Sequence, residues 1–179
     1  MTQKDTRASN TQLWSTDNLV QIVDWLEKAY PEEGCGLVHH RSTGAFEVQT
    51  CENLANKYHA LDPETFPRTA KTFYMINPMA FSRSEREGGH VAVVFHSHCD
   101  VGDYFSDEDV AAATMPRFDP EDPLEPSHPG TDYLVVSVRE GVADRATLFA
   151  FDPDTEGFVA KTIVHIDAGT FRVEDGPGA

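Results

Sequence analysis

Cysteine is scarce in this chain, and its spacing follows no pairing pattern. Only three cysteines occur in 179 residues, Cys35, Cys51 and Cys99, and no two of them form a C-x-x-C pair. An odd number of isolated cysteines argues against a disulfide framework, and the missing C-x-x-C pair argues against a thiolate zinc knuckle. We therefore expect a protein of a reducing compartment, the cytoplasm.

Basic residues are also few. The chain has 14 Lys and Arg against 30 Asp and Glu, for a net charge of −16. Nucleic acids and anionic lipid surfaces are bound through basic faces, and no segment of the sequence supplies one. We expect neither nucleic acid nor membrane as a partner. The acidity itself fits solubility, a saline cytoplasm or a basic partner equally well.

Long apolar runs are missing as well. Runs such as VAVVF at residues 91–95 are far shorter than the roughly 20 residues that cross a bilayer as a helix. Residues 1–12 are polar and lack the apolar core of a signal peptide. The sequence therefore predicts a soluble protein.

The length suits one domain with a sizeable core. We expect this domain at residues 13–170, with a disordered N-terminal tail at residues 1–12 and a flexible C-terminal tail at residues 171–179. The predicted elements follow in the order helix, hairpin, strand, helix, strand, helix, strands. That order is typical of an α/β fold with a single-domain mixed β-sheet flanked by helices.

Apolar spacing and turn residues predict the individual elements. Helices are expected at residues 16–28, 77–87 and 106–114, and a proline-rich surface loop at residues 116–130. Strands are expected on either side of a turn at residues 42–44, and at residues 72–76, 90–98, 132–138, 145–151 and 157–166.

The segment VVFHSHCDVGDYFSDED, residues 93–109, carries the residues that suggest chemistry. On a strand His96 and His98 project from the same face, and Asp109 would follow in the first turn of a helix capped by Ser106. Two histidines and a carboxylate are a common zinc-ligand set. The same residues also fit a simpler interpretation, a capping box beside ordinary strand-end histidines. The triad alone does not decide between the two.

The complete pattern resembles the JAMM (MPN-plus) metallopeptidases. His96-Ser97-His98, Ser106 and Asp109 match the signature H-[S/T]-H-x7-S-x-x-D at every defining position. PEEGCGL at residues 31–37 is similar to P-x-E-x-C-G-L of the small prokaryotic members, which aligns Glu33 with the family's upstream glutamate. The resemblance covers residues 19–151 and implies the MPN/JAB, cytidine-deaminase-like sandwich.

The resemblance also implies a role for each matched residue. His96, His98 and Asp109 would bind one Zn²⁺ per chain, Glu33 would act as general base, and Ser106 would donate to the oxyanion. Without the motif, Glu33 would be taken as a solvated acid like its neighbour Glu32. The family usually has proline after the second histidine and often before the serine; here Cys99 and Phe105 stand there.

Three other functions are conceivable for this sequence. A cysteine hydrolase built on Cys35 would leave the spaced His, Ser and Asp residues without a use. A nucleoside deaminase needs H-x-E and P-C-x-x-C, which the sequence lacks. The remaining alternative is a non-catalytic MPN scaffold or interaction domain, but such scaffolds have lost ligands and here none is missing.

The resemblance implies a substrate class as well. Similar prokaryotic proteins are deubiquitinase-like enzymes that act at the Gly-Gly C-terminus of a ubiquitin-like or sulfur-carrier protein. We therefore expect such a carrier protein as partner, whose extended tail would lie beside the sheet edge. The sequence leaves open whether the bond is an isopeptide, a peptide or an aminoacyl bond, and it does not give the oligomeric state.

Overall fold

The computed structural model describes residues 15–86, 88–119 and 121–179. Helices and strands are interspersed up to residue 113, and the last four elements are consecutive strands. In chain order the elements are α1 (Thr16–Ala29), β1 (Cys35–His40), β2 (Phe46–Cys51), α2 (Ala55–Leu61), α3 (Met79–Arg86), β3 (His90–Cys99), α4 (Asp107–Ala113), β4 (Asp132–Arg139), β5 (Val142–Asp152), β6 (Gly157–Asp167) and β7 (Thr170–Asp175).

The strands form one seven-stranded sheet in the order β2-β1-β3-β4-β5-β6-β7. β3 and β4 run parallel, whereas the other neighbouring pairs are antiparallel. The parallel pair needs a long crossover, and α4 with the following loop provides it. This architecture confirms the predicted α/β fold, a mixed sheet flanked by helices.

Helix α1 covers one face of the sheet. Its side chains Leu19, Ile22 and Leu26 recur at helical spacing and are almost fully buried. Ser15 caps the helix by accepting from Asn18 N at 3.3 Å. The predicted helix at residues 16–28 is confirmed to within one residue, and its apolar stripe forms a core cluster with β3 and β4.

Strand β3 lies near the middle of the sheet and divides the core in two. Val93 and Phe95 pack in the α1 cluster, whereas Val94 belongs to a second cluster that includes Ala113 of α4. This alternation follows from the two-residue period of a strand. The C-terminal end of β3, beginning at His96, is therefore carried by a buried and well-supported backbone.

Gly36 allows strands β1, β2 and β3 to approach closely. A Cβ atom there would lie 2.2 Å from Phe95 Cζ and 2.5 Å from Gln49 O. We expect Gly36→Ala to lower the free energy of unfolding by about 1–3 kcal/mol or more, because a backbone oxygen cannot move aside cheaply. Urea denaturation measures this, and Gly157→Ala is the matched control, since its Cβ would meet only Thr155 O at 3.8 Å. Equal stability of the two variants would contradict the expectation.

The predicted strand at residues 72–76 was wrong, and helix α2 was not predicted. The backbone of this segment bonds to Asn53 and its neighbour instead of to a strand: Asn53 Oδ1 accepts from Met75 N at 3.1 Å, and Leu54 N donates to Met75 O at 2.9 Å. An asparagine side chain therefore takes the place of a partner strand. The apolar alternation of residues 72–76 reflects packing beside the sheet, with Ile76 in the second core cluster.

The C-terminal segment also differs from expectation. Where a flexible tail was predicted from residue 171, strand β7 pairs antiparallel with β6, and Gly176 N then donates to Lys161 O at 2.9 Å. Five of the six β7 residues are exposed, so the strand lacks the apolar alternation that sequence analysis detects. The predicted tail at residues 1–12 lies outside the described residues.

The segment at residues 116–130 folds back along the end of α4. Ser127 N donates to Ala113 O at 2.8 Å, and Met115 N donates to Glu125 O at the same distance. Within its described residues the segment has no helix and only an isolated bridge to Thr114, in line with the predicted loop. None of the described helices is long and apolar enough to cross a membrane.

Candidate metal centre and active site

The two motif histidines converge at the end of β3. His96 and His98 are 0% and 5% exposed, and their Nε2 atoms lie 3.2 Å apart. They share a face because they alternate along the strand with Ser97. Two imidazole nitrogens at this distance, both withdrawn from solvent, fit a shared ligand better than two solvated side chains.

Asp109 completes the triad from the first turn of α4. Its Oδ1 lies 3.1 Å from His96 Nε2 and its Oδ2 lies 3.3 Å from His98 Nε2. The capping box is also present, because Ser106 Oγ accepts from Asp109 N and Ser106 N donates to Asp109 Oδ2 at 2.9 Å. The two interpretations of the motif are therefore compatible: the cap fixes the carboxylate that faces the histidines.

These three residues fit a zinc ion. Zinc bonds of about 2.0–2.1 Å at tetrahedral angles place neighbouring ligand atoms roughly 3.3 Å apart, and the 3.2 Å between the two Nε2 atoms matches that edge. Each Nε2 atom also has one Asp109 oxygen at a similar distance, Oδ1 at 3.1 Å from His96 and Oδ2 at 3.3 Å from His98. His98 Nδ1 lies 3.0 Å from Gly102 O, so Nδ1 carries the proton and Nε2 presents its lone pair to the centre. The described part of the chain yields this one group of metal-ligating side chains.

His96 is held differently from His98. Its Nδ1 is buried without a hydrogen-bond partner among the described residues. The ring of Tyr74 stacks on the imidazole instead, with centroids 4.2 Å apart and an interplanar angle of 20°. Ring packing therefore orients this histidine, where a hydrogen bond to a carbonyl orients its neighbour.

Burial and mutual contact set the charges of the triad. Burial lowers the pKa of His96 and outweighs the carboxylate beside it. In His98, burial also acts to lower the pKa, but the hydrogen bond to Asp109, the charges of Asp109 and Glu33 and the Gly102 carbonyl together raise it. Burial acts to raise the pKa of Asp109, yet the two histidines hold it well below its usual range. The carboxylate is therefore ionised at neutral pH, as a metal ligand must be.

Glu33 lies immediately before β1 and is only 7% exposed. Its N–H donates to Ala70 O at 2.6 Å, and its carbonyl accepts from Asn53 Nδ2 at 2.9 Å. Burial raises the pKa of its carboxyl to about 7, and the charge of His98 acts against that rise, so the carboxyl lies within electrostatic reach of the triad. Such a pKa suits a group that must accept and return a proton near neutrality.

Glu32 differs from Glu33 in its burial and in its contacts. It is half-buried, and its Oε1 accepts from Asn56 Nδ2 at 2.8 Å in a surface contact. The Glu33 carboxyl is buried and feels the charge of His98, whereas the Glu32 carboxylate contacts helix α2.

Two residues that support the site have no role assigned to them from the sequence. Ser97, between the histidines, accepts from Gly34 N with its Oγ at 2.9 Å, while Ser97 N donates to Gly34 O at 3.0 Å. This pair of bonds ties the segment carrying Glu33 to the strand carrying the ligands. The sequence contains a signal for this role: strand alternation places the Ser97 side chain on the face opposite the histidines, where it can contact another element.

Asn53 is the second supporting residue, and all four of its amide bonding positions are used. Nδ2 donates to Glu33 O and Phe73 O, both at 2.9 Å, and Oδ1 accepts from Ala55 N at 3.0 Å and Met75 N at 3.1 Å. The amide therefore links the Glu33 segment to the segment that carries Tyr74. No periodicity or motif in the sequence marks this residue.

Ser106 lies within the site, but its hydroxyl is already engaged. Its Oγ is 2.6 Å from Asp109 Oδ2, a distance at which the hydroxyl donates to the carboxylate. To act as an oxyanion donor, the hydroxyl must rotate away from Asp109. Coordination of the carboxylate by a metal would weaken its hold on that proton.

The two residues that replace the family's prolines have structural roles. Cys99 follows His98, so its side chain leaves the strand on the opposite face, and burial raises the pKa of its thiol to about 11. Phe105 packs in an aromatic group, with ring centroids 4.7 Å from Phe158 and 5.4 Å from Tyr133. Aromatic packing therefore anchors the chain just before Ser106.

Comparison with known proteins agrees with this architecture. Residues 15–145 match the family model described as prokaryotic homologs of the JAB domain, and the chain belongs to this family. A solution structure of a protein from Salinibacter ruber is similar, with 26% identity and a TM-score of 0.52, over 90% of this chain and 96% of that chain.

A second solution structure, of protein DSY2949 from Desulfitobacterium hafniense, has 19% identity and a TM-score of 0.42, over 89% of this chain and 86% of that chain. Among curated proteins no sequence matches significantly. The family-model match over residues 15–145 confirms the family predicted from the His, Ser, Asp and Glu pattern.

Proposed function

We propose that the chain is a zinc-dependent metallopeptidase or isopeptidase of the JAMM type that cleaves after a C-terminal Gly-Gly. The observation that carries this proposal is the convergence of His96, His98 and Asp109: the two Nε2 atoms lie 3.2 Å apart, and each lies within 3.3 Å of one carboxylate oxygen of Asp109. Glu33 supports it, because a buried carboxyl with a pKa of about 7 lies beside a ligand set that leaves a fourth position open. A non-catalytic scaffold would need neither the three converging ligand residues nor the buried Glu33 carboxyl.

Each residue has a defined task in this hydrolysis. Zinc, when bound, supplies a Lewis acid that polarises the scissile carbonyl and acidifies water. His96, His98 and Asp109 would hold the ion, and the Gly102 carbonyl keeps His98 in the tautomer that presents Nε2. Glu33 accepts the proton of the attacking water at its carboxylate and returns it to the leaving amine.

The negative charge that develops on the substrate carbonyl oxygen must be stabilised by a hydrogen-bond donor. Ser106 Oγ supplies one once its proton turns from Asp109 to the oxyanion. Its position is fixed by the helix cap, because Ser106 N donates to Asp109 Oδ2 at 2.9 Å. The helix cap therefore places the metal ligand Asp109 and the oxyanion donor Ser106 together at the start of the same helix.

The depth of the site favours glycine beside the scissile bond. His96, His98, Asp109 and Glu33 are each at most 7% exposed, so the reacting carbonyl must approach a recessed group of atoms. A residue without a side chain makes that approach without steric conflict. The C-terminus of a ubiquitin-like or sulfur-carrier protein offers such a tail, extended and ending in Gly-Gly.

Cleavage of a tailed carrier protein tests the proposal. We expect the zinc-loaded protein to cut a fusion joined through Gly-Gly, and to lose at least about 100-fold in kcat/KM when both glycines are replaced by valine, because branched side chains cannot enter a recessed site. Mass spectrometry of the products locates the cut. Equal cleavage of the Gly-Gly and Val-Val fusions would contradict the assigned specificity.

A further inference from the structure

The loop between the two ligand-bearing elements, residues 100–105, is held to the rest of the protein through its polar groups. It contains no proline, and Asp100 at its start has a φ of +60°. A residue other than glycine persists in this left-handed region only where its surroundings hold it there. The hydrolysis described above gives a task to the Gly102 carbonyl of this loop but none to its other contacts.

Asp100 ties the start of the loop to two distant segments. Its Oδ2 accepts from the Tyr30 hydroxyl at 2.9 Å, and its Oδ1 accepts from Glu140 N at 2.8 Å. Its own N–H donates to Val138 O at 2.8 Å. The loop is thereby fixed to the chain just after α1 and to the turn between β4 and β5.

Asp103 ties the second half of the loop to β5. Its Oδ2 accepts from the Thr147 hydroxyl and lies 3.2 Å from Arg145 Nε. The Asp103 side chain is only 14% exposed and Thr147 is buried, so solvent screens this contact less than it screens a surface ion pair. Asp103 therefore has a defined position against the sheet.

The sheet residues that hold the loop lie on the same face as the metal ligands. His98 is in register with Ser137 of β4, and Ser137 is in register with Arg145 of β5. Residues directly opposite each other on neighbouring strands share a face. Ser137 Oγ donates to Val101 O at 2.9 Å, so the loop is bonded to the sheet on both sides of Gly102.

Gly102 O lies 3.0 Å from His98 Nδ1. A glycine cannot hold the direction of its own carbonyl, because it has the widest range of backbone angles. The nitrogen of Asp103 belongs to the same peptide plane as this carbonyl, so anchoring of Asp103 limits the rotation of the plane. Tyr104 also contacts the His98 ring, with centroids 5.1 Å apart, but a ring contact does not select the nitrogen that carries the proton.

We propose that Asp103 is a positioning residue of the metal centre. Its anchors on β5 keep the Gly102 carbonyl on His98 Nδ1, so that the imidazole keeps its orientation and its Nε2 lone pair faces the ion. Partners of this kind in metal sites typically contribute about 10- to 100-fold to metal affinity. The inference rests on the metal centre of the proposed function and not on its substrate.

Zinc affinity tests the proposal without any substrate. In competition with a chromophoric chelator, we expect Asp103→Ala to bind zinc about 10- to 100-fold more weakly than wild type. Asp103→Asn keeps a side-chain oxygen for the Thr147 hydroxyl and should recover most of that affinity. Glu174→Ala is the matched control and should bind zinc as wild type does. Glu174 likewise joins an arginine and a second polar side chain, but on the edge strand β7.

Hydrogen exchange of the His98 ring reports on the orientation itself. In ¹H–¹⁵N NMR spectra of the zinc-loaded protein, the Nδ1–H of His98 should be protected by its bond to Gly102 O. We expect Asp103→Ala to accelerate exchange of this proton by about 10-fold or more, since the carbonyl is no longer held in place. The same proton in Glu174→Ala should exchange at the wild-type rate.

Zinc affinity of Asp103→Ala within about twofold of wild type would overturn the proposal, as would an equal loss in Glu174→Ala. Thr147→Val provides a second variant where Asp103→Ala does not fold. It keeps the shape of the side chain, removes the hydroxyl that donates to Asp103, and should weaken zinc binding by about threefold or more. Unchanged affinity in Thr147→Val would also overturn the proposal. A wild-type protein that takes up no zinc would instead refute the metal centre, and with it both proposals.

Discussion

Glu33→Gln is expected to abolish cleavage while leaving the zinc in place. Glutamine keeps the size and hydrogen-bonding capacity of the side chain but cannot accept a proton. Loss of a positioned general base costs about 10²- to 10⁴-fold in rate. Zinc should remain, because Glu33 is not one of the three ligand residues that converge in the structure. The measurement is turnover of a Gly-Gly-tailed fusion beside the zinc content of the same sample.

Glu32→Gln is the matched control for this experiment. Glu32 forms a surface hydrogen bond with Asn56 and does not face the triad, so its replacement should change turnover less than about twofold. The opposite pattern, with activity lost in Glu32→Gln and kept in Glu33→Gln, would shift the alignment of PEEGCGL by one residue. Loss in both variants would point to an effect of the whole segment.

Stability provides a second check on Glu33→Gln. The folded-state pKa of Glu33, about 7, lies above its ordinary value, so the folded chain holds this proton where the unfolded chain has released it. This contribution to stability is therefore present at low pH and is lost as pH rises through about 7. At pH 8 the glutamine variant avoids burying a charge, and metal-free Glu33→Gln should unfold at the same temperature as wild type or higher. A lower unfolding temperature would mean that lost activity reflects a damaged fold.

His96→Ala is expected to reduce zinc content from about one per chain to nearly none after dialysis. Two protein ligands remain in this variant, and a site designed for three binds zinc much more weakly with two. Asp109→Ala should have the same effect, with an added loss of helix capping because Asp109 Oδ2 accepts from Ser106 N. Elemental analysis of the purified variants gives the answer.

Ser97→Ala distinguishes ligand loss from general disturbance of β3. Ser97 lies between the two ligands, but its hydroxyl bonds Gly34 N on another element. The variant should be less stable by about 1–3 kcal/mol, because a buried N–H loses its partner, yet it should keep its zinc. Full zinc occupancy in His96→Ala would refute the assigned ligand set.

The parts of the fold predicted from sequence are those with strong local patterns. Helix α1 has a cap and an apolar stripe, β3 has a continuous apolar run, and the triad has fixed spacing along a strand and a helix turn. In each case the physical cause lies within one short, continuous segment of the chain. Side-chain direction on a strand was sufficient to place His96 and His98 together.

The parts that were missed depend on contacts between distant residues. Asn53 bonds to Glu33 and to Phe73, each 20 residues away along the chain, and such a network leaves no periodic trace. It also explains why residues 72–76 form no strand, since the asparagine side chain satisfies their backbone. Strand β7 was missed for the opposite reason: its exposed polar side chains lack any apolar pattern, and its pairing with β6 alone defines it.

Removal and return of zinc tests the central claim most directly. The purified protein is stripped with a chelator, and zinc is added back in steps while cleavage of a Gly-Gly-tailed fusion is followed. The account predicts no cleavage by the stripped protein, and a rate that rises in proportion to bound zinc and levels off at about one ion per chain. Full occupancy at the His96, His98 and Asp109 site without cleavage of any tailed substrate would contradict it and favour a metal-binding scaffold.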